Sequence, residues 1–393
     1  MAVNRLYNVI NNWRYNELTK TYNDNYYKII DDCVDELIED TTQCNKLIEL
    51  LNENNTHEVC QLLQKGYYDK YLSDKGTIIY NLNMKRKLPD IRAFYKLNSI
   101  ISISKPDIIH CWMYHSCLLE VLLRKLGRNR SIPVIWGLRC SNMDVKFYSV
   151  QLKLIIKACS YFSSKPNIII NNSYKGKKIH DKLGFTKNSI VIPNGIDIEK
   201  FSPNLKNRSN FRKNYSISNT TKVLLCVARV DPMKDHQTLL KAFSKIRLLI
   251  PNVLLILAGL GTEKFFQEKK VLALGAYKNI HEVYNASDII ISSSAFGEGF
   301  SNALGEGMAS GLVPISTEVG DARKIIGDTG KIIPIRSHDE MCEAIKDVIN
   351  YNDIDLLNNK NNARGRIKKY YSKEKMINNY NHIYKSILTD VGK

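Results

Sequence analysis

The stretch FGEGFSNALGEGMASG, residues 296–311, decides how this chain is organised. The apolar run at residues 288–291 just before it predicts a buried strand, and a helix is predicted over residues 301–310. Residues 297–299 therefore lie where a parallel strand passes into a helix, the edge at which open α/β sheets bind ligands. Glycines allow a ligand to approach the backbone closely, and the N–H groups at a helix start attract phosphate. The sequence thus predicts an anion site here.

Two carboxylates, Glu298 and Glu306, flank this predicted helix start. Acidic residues near the N-terminus of a helix also stabilise it through the helix dipole, by roughly 0.3–1 kcal/mol each. The two glutamates on their own therefore leave both interpretations open, helix stabilisation and ligand binding.

Five motifs, in this order along the chain, resemble glycosyltransferase family 4, whose members are retaining enzymes of the GT-B fold that use nucleotide sugars. The motifs are VIPNGIDIEKFSP (191–203), VARVDPMKDHQTLLKAF (227–243), LILAGLG (255–261), YNASDIIISSS (284–294) and the stretch 296–311. The wording GEGFSNALGEGMASG, followed by VGDARKIIGDTG (319–330), is most similar to the branch that builds bacterial capsule and lipopolysaccharide.

Apolar runs that alternate with helical patterns predict parallel, doubly wound sheets. Together with the resemblance, they imply an α/β GT-B protein with two Rossmann-like domains that face each other across a cleft. The predicted strands cover residues 57–63, 77–82, 107–110, 133–138, 167–170, 189–194, 222–228, 252–259, 269–275, 288–291, 313–316 and 331–334. A helix is predicted over residues 236–249, between two of these strands. The predicted parts are an atypical N-terminal segment (1–55), an acceptor-side domain (56–193), a linker (194–203), a nucleotide-sugar-binding domain (204–371) and a helix that crosses back towards the first domain (372–393).

The N-terminal segment departs from the family. The resemblance implies a strand near residues 28–34 and then a glycine-rich loop against the donor phosphates, but no glycine precedes Gly66. Residues 1–27 carry no assignable pattern. The apolar spacing over residues 28–51 is that of a helix, and unpaired aspartates would be costly inside a buried strand. We therefore predict a helix there, which leaves open whether the enzyme is active.

Positive charge is concentrated in the middle of the chain. The whole sequence has 57 basic and 39 acidic residues, and residues 65–190 hold 23 and 7 of them. A patch that includes Arg124, Lys125, Arg128 and Arg130 could contact an anionic membrane surface or a lipid phosphate. Solvated helix faces in a Lys- and Asn-rich chain are the alternative. No nucleic-acid motif accompanies the charge, so nucleic acid is not an expected partner.

Cysteine usage and hydropathy indicate the compartment. Nine cysteines occur singly, without a Cys-x-x-Cys pair or a His cluster at metal spacing, which suits a reducing cytoplasm. No stretch approaches 18 apolar residues, and the N-terminus lacks the apolar segment of a signal peptide. We expect a cytoplasmic protein, at most peripheral on the inner face of the cytoplasmic membrane.

The resemblance assigns a clamp for the departing diphosphate, on which negative charge grows as the glycosidic bond breaks. Arg229 and Lys234 match the family's arginine and lysine that hold this group. Arginine offers a planar fork to phosphate and lysine a compact charge. Backbone N–H groups of Gly299, Phe300 and Ser301 would complete the clamp.

The resemblance also assigns the two glutamates. Glu306 would hold the ribose hydroxyls, and Glu298, as a catalytic residue, the hydroxyls of the donor sugar. Carboxylates suit both tasks because they accept charge-assisted hydrogen bonds. Residues 275–277 would lie at the edge of the base. No metal or other cofactor is expected, because the family typically needs none and the clamp takes the metal's place.

Candidate residues of the first domain follow two predicted strands. His110 and His115 lie near the end of one strand, and a buried structural histidine is the commoner outcome for either. His115 is the candidate for a catalytic role in the cleft. Arg139 and Asn142 follow the next strand and are candidates for contact with the acceptor or the sugar.

Three functions are compatible with these residues. The first is a retaining transferase that moves a sugar from a nucleotide sugar to a lipid-linked or lipopolysaccharide or capsule saccharide. The preferred donor is a UDP-sugar, and a GDP-sugar is the alternative. The second has the same fold but a small soluble acceptor. The third is a decayed paralogue that binds nucleotide sugar without efficient transfer. The missing glycine loop favours the third, as does the short segment 262–268, where the resemblance implies a longer helical segment. The intact motifs around Arg229 and Glu298 oppose it.

Overall fold

The computed structural model of the chain describes residues 5–10, 56–62, 69–84, 91–126, 131–141, 150–186 and 188–391. The chain divides into two compact units. The first unit consists of Met1–Pro193 and Ile377–Lys393, and the second of Asn194–Met376. The helix predicted over residues 28–51, and the alternative strand at 28–34, lie outside the described residues.

The first unit is built on a seven-stranded parallel sheet. Its strands are β1 (Arg5–Ile10), β2 (Thr56–Gln61), β3 (Ile78–Asn81), β4 (Ile108–Trp112), β5 (Val134–Leu138), β6 (Ile168–Asn171) and β7 (Ser189–Val191). Its helices are α1 (Asp69–Asp74), α2 (Ile91–Ser104), α3 (Met113–Leu126), α4 (Val150–Phe162) and α5 (Tyr174–Lys182). The strand order is β3-β2-β1-β4-β5-β6-β7.

Strand β1 differs from the sequence-based prediction. It lies in the middle of the sheet, where Leu6 is in register with His57 on one side and with Ile108 on the other. The first sheet therefore begins at Arg5 and not at residue 56. A central parallel strand usually appears as a continuous apolar run, whereas RLYNVI mixes polar and apolar residues. β1 is identified by its pairing with two strands that are distant in the sequence, and not by a pattern in its own residues.

The second unit is built on a six-stranded parallel sheet. Its helices are α6 (Leu205–Asn214), α7 (His236–Leu249), α8 (Ile280–Ala286), α9 (Asn302–Ala309), α10 (Ala322–Ile326), α11 (His338–Ile349) and α12 (Asp353–Tyr370). Its strands are β8 (Lys222–Val227), β9 (Val253–Ala258), β10 (Val271–Gly275), β11 (Ile289–Ser292), β12 (Val313–Thr317) and β13 (Lys331–Ile333). Short 3-10 turns cover Pro232–Lys234 and Thr262–Phe265.

The order of the second sheet, β10-β9-β8-β11-β12-β13, defines a topological switch point. The chain winds outward from β8 to β10 and then returns to place β11 on the other side of β8. Loops that leave β8 and β11 therefore turn to opposite faces of the sheet. The crevice between such loops, outside the carboxyl ends of the strands, is where doubly wound sheets bind ligands.

Asp288 fixes β11 beside β8. Its buried carboxylate accepts hydrogen bonds from Arg208 at 2.9 Å, from Arg212 at 3.1 Å and from the backbone N–H of Val223 at 2.9 Å. Burial acts to raise the pKa of Asp288, but the surrounding cations, Arg208 first among them, hold that pKa below its usual range. The charged aspartate thus joins the start of β11 to β8.

The link between β9 and β10 is short. The 3-10 turn at Thr262–Phe265 takes the place of the longer helical segment that the resemblance implies. The Thr262 hydroxyl donates to the Gly259 carbonyl at 2.8 Å and accepts from the Gly275 N–H at 3.0 Å. These bonds hold the link against the carboxyl ends of β9 and β10.

The last helix, α13 (Lys373–Val391), passes from the second unit into the first at Ile377. At its start, within the second unit, Ile196 exchanges backbone hydrogen bonds with Tyr371 and Lys373. The residues of the predicted linker, 194–203, are grouped with the second unit.

Candidate functional site

A buried ion pair joins the loops after β8 and β11 in the second unit. Lys234 Nζ lies 2.7 Å from Glu298 Oε1, and each residue is only 7% exposed. The Ser294 hydroxyl donates to the same carboxylate oxygen at 2.7 Å. The pair therefore bridges the two loops at the switch point of the sheet.

The charge state of Glu298 follows from these neighbours. Burial acts to raise its pKa, but the Lys234 ammonium and the Ser294 hydroxyl, with a smaller effect of Arg229, hold the pKa below its usual range. The carboxylate is therefore ionised near neutral pH. A buried ion pair adds little to stability compared with apolar residues of similar volume. Its presence at a ligand-binding edge thus favours a functional role.

The short turn that carries Lys234 is held on several sides. The Asp231 carboxylate caps it by accepting from the Met233 N–H at 2.7 Å. The Ser293 hydroxyl donates to the Lys234 carbonyl at 2.7 Å, and the Ala295 N–H donates to the Met233 carbonyl at 2.7 Å. The β11 loop therefore fixes the position of the lysine independently of the ion pair.

Arg229 stands on an equally fixed backbone. The residues before and after it donate hydrogen bonds to the end of β9 and the loop that follows it. At Gly259, a Cβ would come within 2.3 Å of the Ala228 carbonyl oxygen, so only glycine allows this close approach. The guanidinium donates to Asp231 at 3.0 Å. This partner orients the guanidinium from one side.

The predicted helix start forms at Ser301, which caps α9 with its side chain. Phe300 is buried, with its ring centroid 5.2 Å from that of Tyr371, so it contributes backbone and packing. The Gly299 carbonyl accepts from the Asp321 N–H at 3.0 Å. The three residues predicted to complete the clamp therefore lie together at the N-terminus of α9.

The loop after β12 supports this helix start from behind. Gly320 has a φ of +56°, and a Cβ there would come within 2.3 Å of the Glu298 carbonyl oxygen and 2.5 Å of the Gly299 carbonyl oxygen. Only glycine permits this contact. The motif VGDARKIIGDTG carries the resemblance in the sequence, and Gly320 gives part of it a physical reason.

Glu306 is anchored by a different partner. It lies half-buried on α9, and its Oε2 accepts a hydrogen bond from the Tyr284 hydroxyl at 3.1 Å. Tyr284 is fully buried, so this bond fixes the direction of the carboxylate. Sequence reasoning missed Tyr284 and Ser294, although both belong to the quoted motif YNASDIIISSS. The available signal was a polar side chain on either side of the apolar run 288–291 in that motif.

The turn after β10 carries the residues proposed for the edge of the base. Gly275 has a φ of +65°, and a Cβ there would meet the Glu263 carboxylate at 2.9 Å. The Tyr277 hydroxyl donates to Glu282 at 3.5 Å, and partial burial together with the nearby Tyr215 and Glu282 raises the pKa of Tyr277 to about 12. Tyr277 is therefore a neutral phenol at neutral pH.

In the first unit, His110 packs into the interior. Its ring stacks on Trp112 with centroids 4.2 Å apart, and its Nδ1 lies 2.9 Å from the hydroxyl of Tyr384 on α13. Burial, with a smaller effect of Arg139, lowers the pKa of His110 well below its usual value. His110 is thus a neutral structural histidine. His115 lies half-buried in the first turn of α3, and burial lowers its pKa as well.

Arg139 also points into the first unit. Its guanidinium lies over the Trp112 ring, 5.1 Å from the centroid, and donates to the Tyr380 hydroxyl at 3.3 Å. The residue is 4% exposed. The predicted contact with acceptor or sugar would therefore need another group or a rearrangement of this side chain. Asn142 lies outside the described residues, and its role, like those of His115 and Arg139, stays a prediction.

In the described parts of the chain, no group of three or more His, Cys, Asp or Glu side chains is placed to hold a metal ion. The second unit instead concentrates Arg229, Lys234 and the N-terminus of α9 around the ends of β8 and β11. These groups can neutralise a polyanion such as a diphosphate.

Two family models match the chain, one in each half. Residues 54–200 match the model described as Glycosyltransferase Family 4, and residues 207–369 match the model described as Glycosyl transferases group 1. The junction between the two matches lies close to the division between the two units at residues 193 and 194.

Characterised relatives and solved structures point the same way. The chain is 23% identical over 348 residues to the UDP-Gal:alpha-D-GlcNAc-diphosphoundecaprenol alpha-1,3-galactosyltransferase of Escherichia coli, covering 82% of this chain and 87% of that protein. It is 27% identical to the N-acetyl-alpha-D-glucosaminyl L-malate synthase of Bacillus anthracis, covering 54% and 57%. Its fold matches that of Anabaena HepE, solved in complex with UDP, with a TM-score of 0.79 at 15% identity, covering 98% and 100%.

Proposed function

Since this chain belongs to the glycosyltransferases of the GT-B fold, we propose that it transfers a sugar, with retention of configuration, from a UDP-sugar to a lipid-linked saccharide of a bacterial surface polysaccharide. The observation that carries the proposal is the buried Lys234–Glu298 pair next to the start of α9, at the switch point of the second sheet. The donor assignment is supported by the Escherichia coli relative, whose name specifies UDP-Gal.

The clamp residues would stabilise the leaving group. Negative charge develops on the UDP diphosphate as the bond to the sugar breaks, and fixed cations and N–H groups stabilise such charge most where water is excluded. Arg229 and Lys234 are both held by backbone and side-chain contacts before any donor binds. Little reorganisation would therefore be needed when the diphosphate arrives between them and the N–H groups of residues 299–301.

Glu298 would act on the sugar. Its Oε1 accepts from both Lys234 and Ser294 in the structure. A diphosphate would compete for the Lys234 ammonium, and the carboxylate could then accept hydrogen bonds from hydroxyl groups of the donor sugar. Glu306, oriented by Tyr284, would take the ribose hydroxyls. The two carboxylates thus have separate anchors, which suits separate tasks on one ligand.

The acceptor is proposed to be a saccharide on a lipid carrier at the inner face of the cytoplasmic membrane. The name of the Escherichia coli relative specifies an acceptor linked to diphosphoundecaprenol, and the matched region covers most of both proteins. A small soluble acceptor is the second candidate, favoured by the Bacillus anthracis relative, whose name specifies L-malate, a small dicarboxylate.

The test proceeds in two steps. A thermal-shift screen of UDP-, GDP- and other nucleotide sugars should show stabilisation by one or more UDP-sugars, since a ligand that binds the folded state raises the melting temperature. The stabilising donor is then incubated with membrane extract and, separately, with soluble acids and sugars. We expect transfer of the sugar to a lipid-extractable product, and NMR of the new linkage should show the anomeric configuration of the donor.

Three outcomes would change the proposal. Transfer only to a soluble acceptor would favour the second candidate. Clear donor binding without transfer to any acceptor would favour the decayed paralogue. Inversion of the anomeric configuration would overturn the retaining mechanism while leaving the donor assignment intact.

A further inference from the structure

Helix α4 in the first unit is apolar on its outer side as well as on its inner side. Leu152 and Cys159 are buried in the core, as expected for the inner side of a surface helix. Val150, Leu154 and Tyr161, however, are 69%, 63% and 81% exposed. A surface helix of a globular protein normally presents polar residues to water. This one presents three large apolar side chains.

These side chains form a single stripe. At 3.6 residues per turn, positions 150, 154 and 161 fall within roughly 40° of one another around the helix axis. Lys153 and Lys157 are exposed and border the stripe on one side. Lysines next to an exposed apolar stripe are typical of helices that lie in a membrane interface, because the long stem covers apolar surface while the ammonium reaches the headgroups.

The sequence interval that contains α4 carries charge of one sign. The sequence contains no acidic residue between Asp144 and Asp181, and seven lysines fall in that interval. The neighbouring helix α3 adds Lys125, whose Nζ lies 4.5 Å above the ring of Phe162 at the end of α4. Both the stripe and its surroundings are therefore complementary to an apolar layer covered by negative charge.

The exposed positive charge of the first unit differs in position from the basic patch predicted from the sequence. The guanidinium of Arg124 is not available to a lipid surface, because it binds the buried Glu120 carboxylate and the Ile132 carbonyl. Arg128 and Arg130 lie outside the described residues. The lysines of α4 and Lys125, by contrast, are exposed cations that lie beside apolar surface of the first unit.

We propose that the outer face of α4, formed by Val150, Lys153, Leu154, Lys157 and Tyr161, docks the protein on an anionic lipid surface. In the described residues no helix is long and apolar enough to cross a membrane, so α4 would lie along the interface. The inference stands on the surface of the first unit and does not depend on which nucleotide sugar the second unit binds.

A second copy of the chain fits this face less well. In a two-fold interface the same patch meets itself, so the lysines of both copies would approach each other. With no acid between residues 144 and 181, the patch offers no partner for them. Like charges brought together in this way oppose association. An anionic bilayer supplies the missing negative charge.

The experiment uses the full chain and flotation with two kinds of vesicle, phosphatidylcholine alone and phosphatidylcholine with about one-third phosphatidylglycerol. Two double variants probe the face: Leu154→Gln with Tyr161→Gln, and Lys153→Gln with Lys157→Gln. The control is Leu248→Gln with Leu249→Gln, which removes two side chains that are 79% and 61% exposed at the end of α7 in the second unit.

We expect the wild type and the control to bind the phosphatidylglycerol vesicles and to bind phosphatidylcholine at least tenfold more weakly. Loss of the lysines should weaken binding about fivefold for each residue at low salt, and the difference should shrink as salt is added. Loss of the apolar pair should weaken binding by tenfold or more at every salt concentration, because burial of apolar surface is not screened.

Equal binding of the wild type and both α4 variants to phosphatidylglycerol vesicles would overturn the proposal. It would also be overturned if light scattering showed a wild-type dimer that the Leu154→Gln, Tyr161→Gln variant loses, since the face would then be an interface between copies. UDP affinity, measured by calorimetry on the same samples, should be equal in all four proteins. Absence of UDP binding throughout would contradict the proposed donor but not the docking face.

Discussion

The two sheets wind in the same way but differ at the carboxyl ends of their central strands. In the second unit, the loops after β8 and β11 place charged side chains there, with Lys234 and Glu298 2.7 Å apart. In the first unit, the end of β4 and the residue after β5 carry a stack of His110, Trp112 and Arg139, covered by tyrosines of α13. One edge therefore gathers charged side chains, and the other packs aromatic rings around an arginine.

The difference shows that topology alone does not make a ligand site. Arg139 and Arg229 both follow a strand of a doubly wound sheet, yet Arg139 is committed to an aromatic ring and a tyrosine, whereas Arg229 is directed by an aspartate on the same loop. The neighbouring side chains decide which contacts the arginine makes at each position. Substitutions at matched positions of the two units can therefore test the contrast.

The largest effect is expected at Lys234. Lys234→Ala would leave the Glu298 carboxylate buried without its cation, and removal of one partner of a buried ion pair costs about 3–5 kcal/mol. Urea unfolding should show a loss of this size. The double variant Lys234→Met, Glu298→Leu removes both charges and should recover most of the stability. A loss below about 1 kcal/mol in the single variant would show that the two charges are coupled no more strongly than an exposed ion pair.

The two arginines should separate binding from packing. Arg229→Ala should weaken UDP binding by about 1–3 kcal/mol, the cost of losing a charge-assisted partner, with a smaller effect on unfolding. Arg139→Ala should leave UDP affinity unchanged and lower the stability of the first unit, because the Trp112 face and the Tyr380 hydroxyl each lose one contact. Calorimetry and urea unfolding measure both quantities. Equal loss of UDP affinity in the two variants would remove the contrast.

The two glutamates of the second unit should differ from each other. Glu306→Gln should weaken UDP and UDP-sugar alike, by about 1–2 kcal/mol, if the carboxylate holds the ribose. Glu298→Gln should spare UDP and reduce turnover or UDP-sugar affinity. Titrations of both ligands into both variants test this division. If the two variants lose UDP to the same extent, the assignment of ribose to Glu306 is wrong.

The smallest expected effect is a loss of folding stability at acidic pH, which both units should show. Each unit holds a buried neutral histidine: burial lowers the pKa of His180 and of His236 to about 4. The unfolded chain, with an ordinary histidine pKa near 6.5, binds more protons between pH 6.5 and 4, so stability is full above this window and falls as the pH is lowered through it. Each histidine should contribute on the order of 1 kcal/mol between pH 6.5 and 5.5.

Replacement of His180 tests this point in one unit only. Its Nδ1 donates to the Gly176 carbonyl at 2.8 Å and its Nε2 accepts from the Tyr114 hydroxyl at 2.7 Å, so the neutral form is fixed. His180→Gln should lower stability at pH 7.5 and flatten its dependence on pH in urea titrations. An unchanged slope would show that His180 does not contribute to the acid sensitivity.

Much of the second unit could be predicted from the sequence. The strand at residues 222–228 is observed at Lys222–Val227, and the helix at 236–249 is observed with the same ends. Buried parallel strands leave continuous apolar runs, and Asp235 supplies a capping side chain just before the helix. The helix start at Ser301 follows for the same reasons.

The partners of the site residues could not be predicted in this way. The contact between Lys234 and Glu298 depends on β11 returning to lie beside β8, which no local pattern records. Arg139 donates to a tyrosine 241 positions away, so the strand that precedes it could not predict the inward direction of its side chain. Strand β1 was missed because its pairing partners, and not its own alternation, place it in the sheet.

The central claim is that the switch point of the second unit binds the nucleoside diphosphate, and a crystal structure of the protein with UDP tests it most directly. We predict that the diphosphate lies about 3 Å from Arg229, Lys234 and the backbone N–H groups of residues 299–301, with the ribose hydroxyls on Glu306. A nucleotide bound away from these groups, or a diphosphate that contacts neither cation, would contradict the claim.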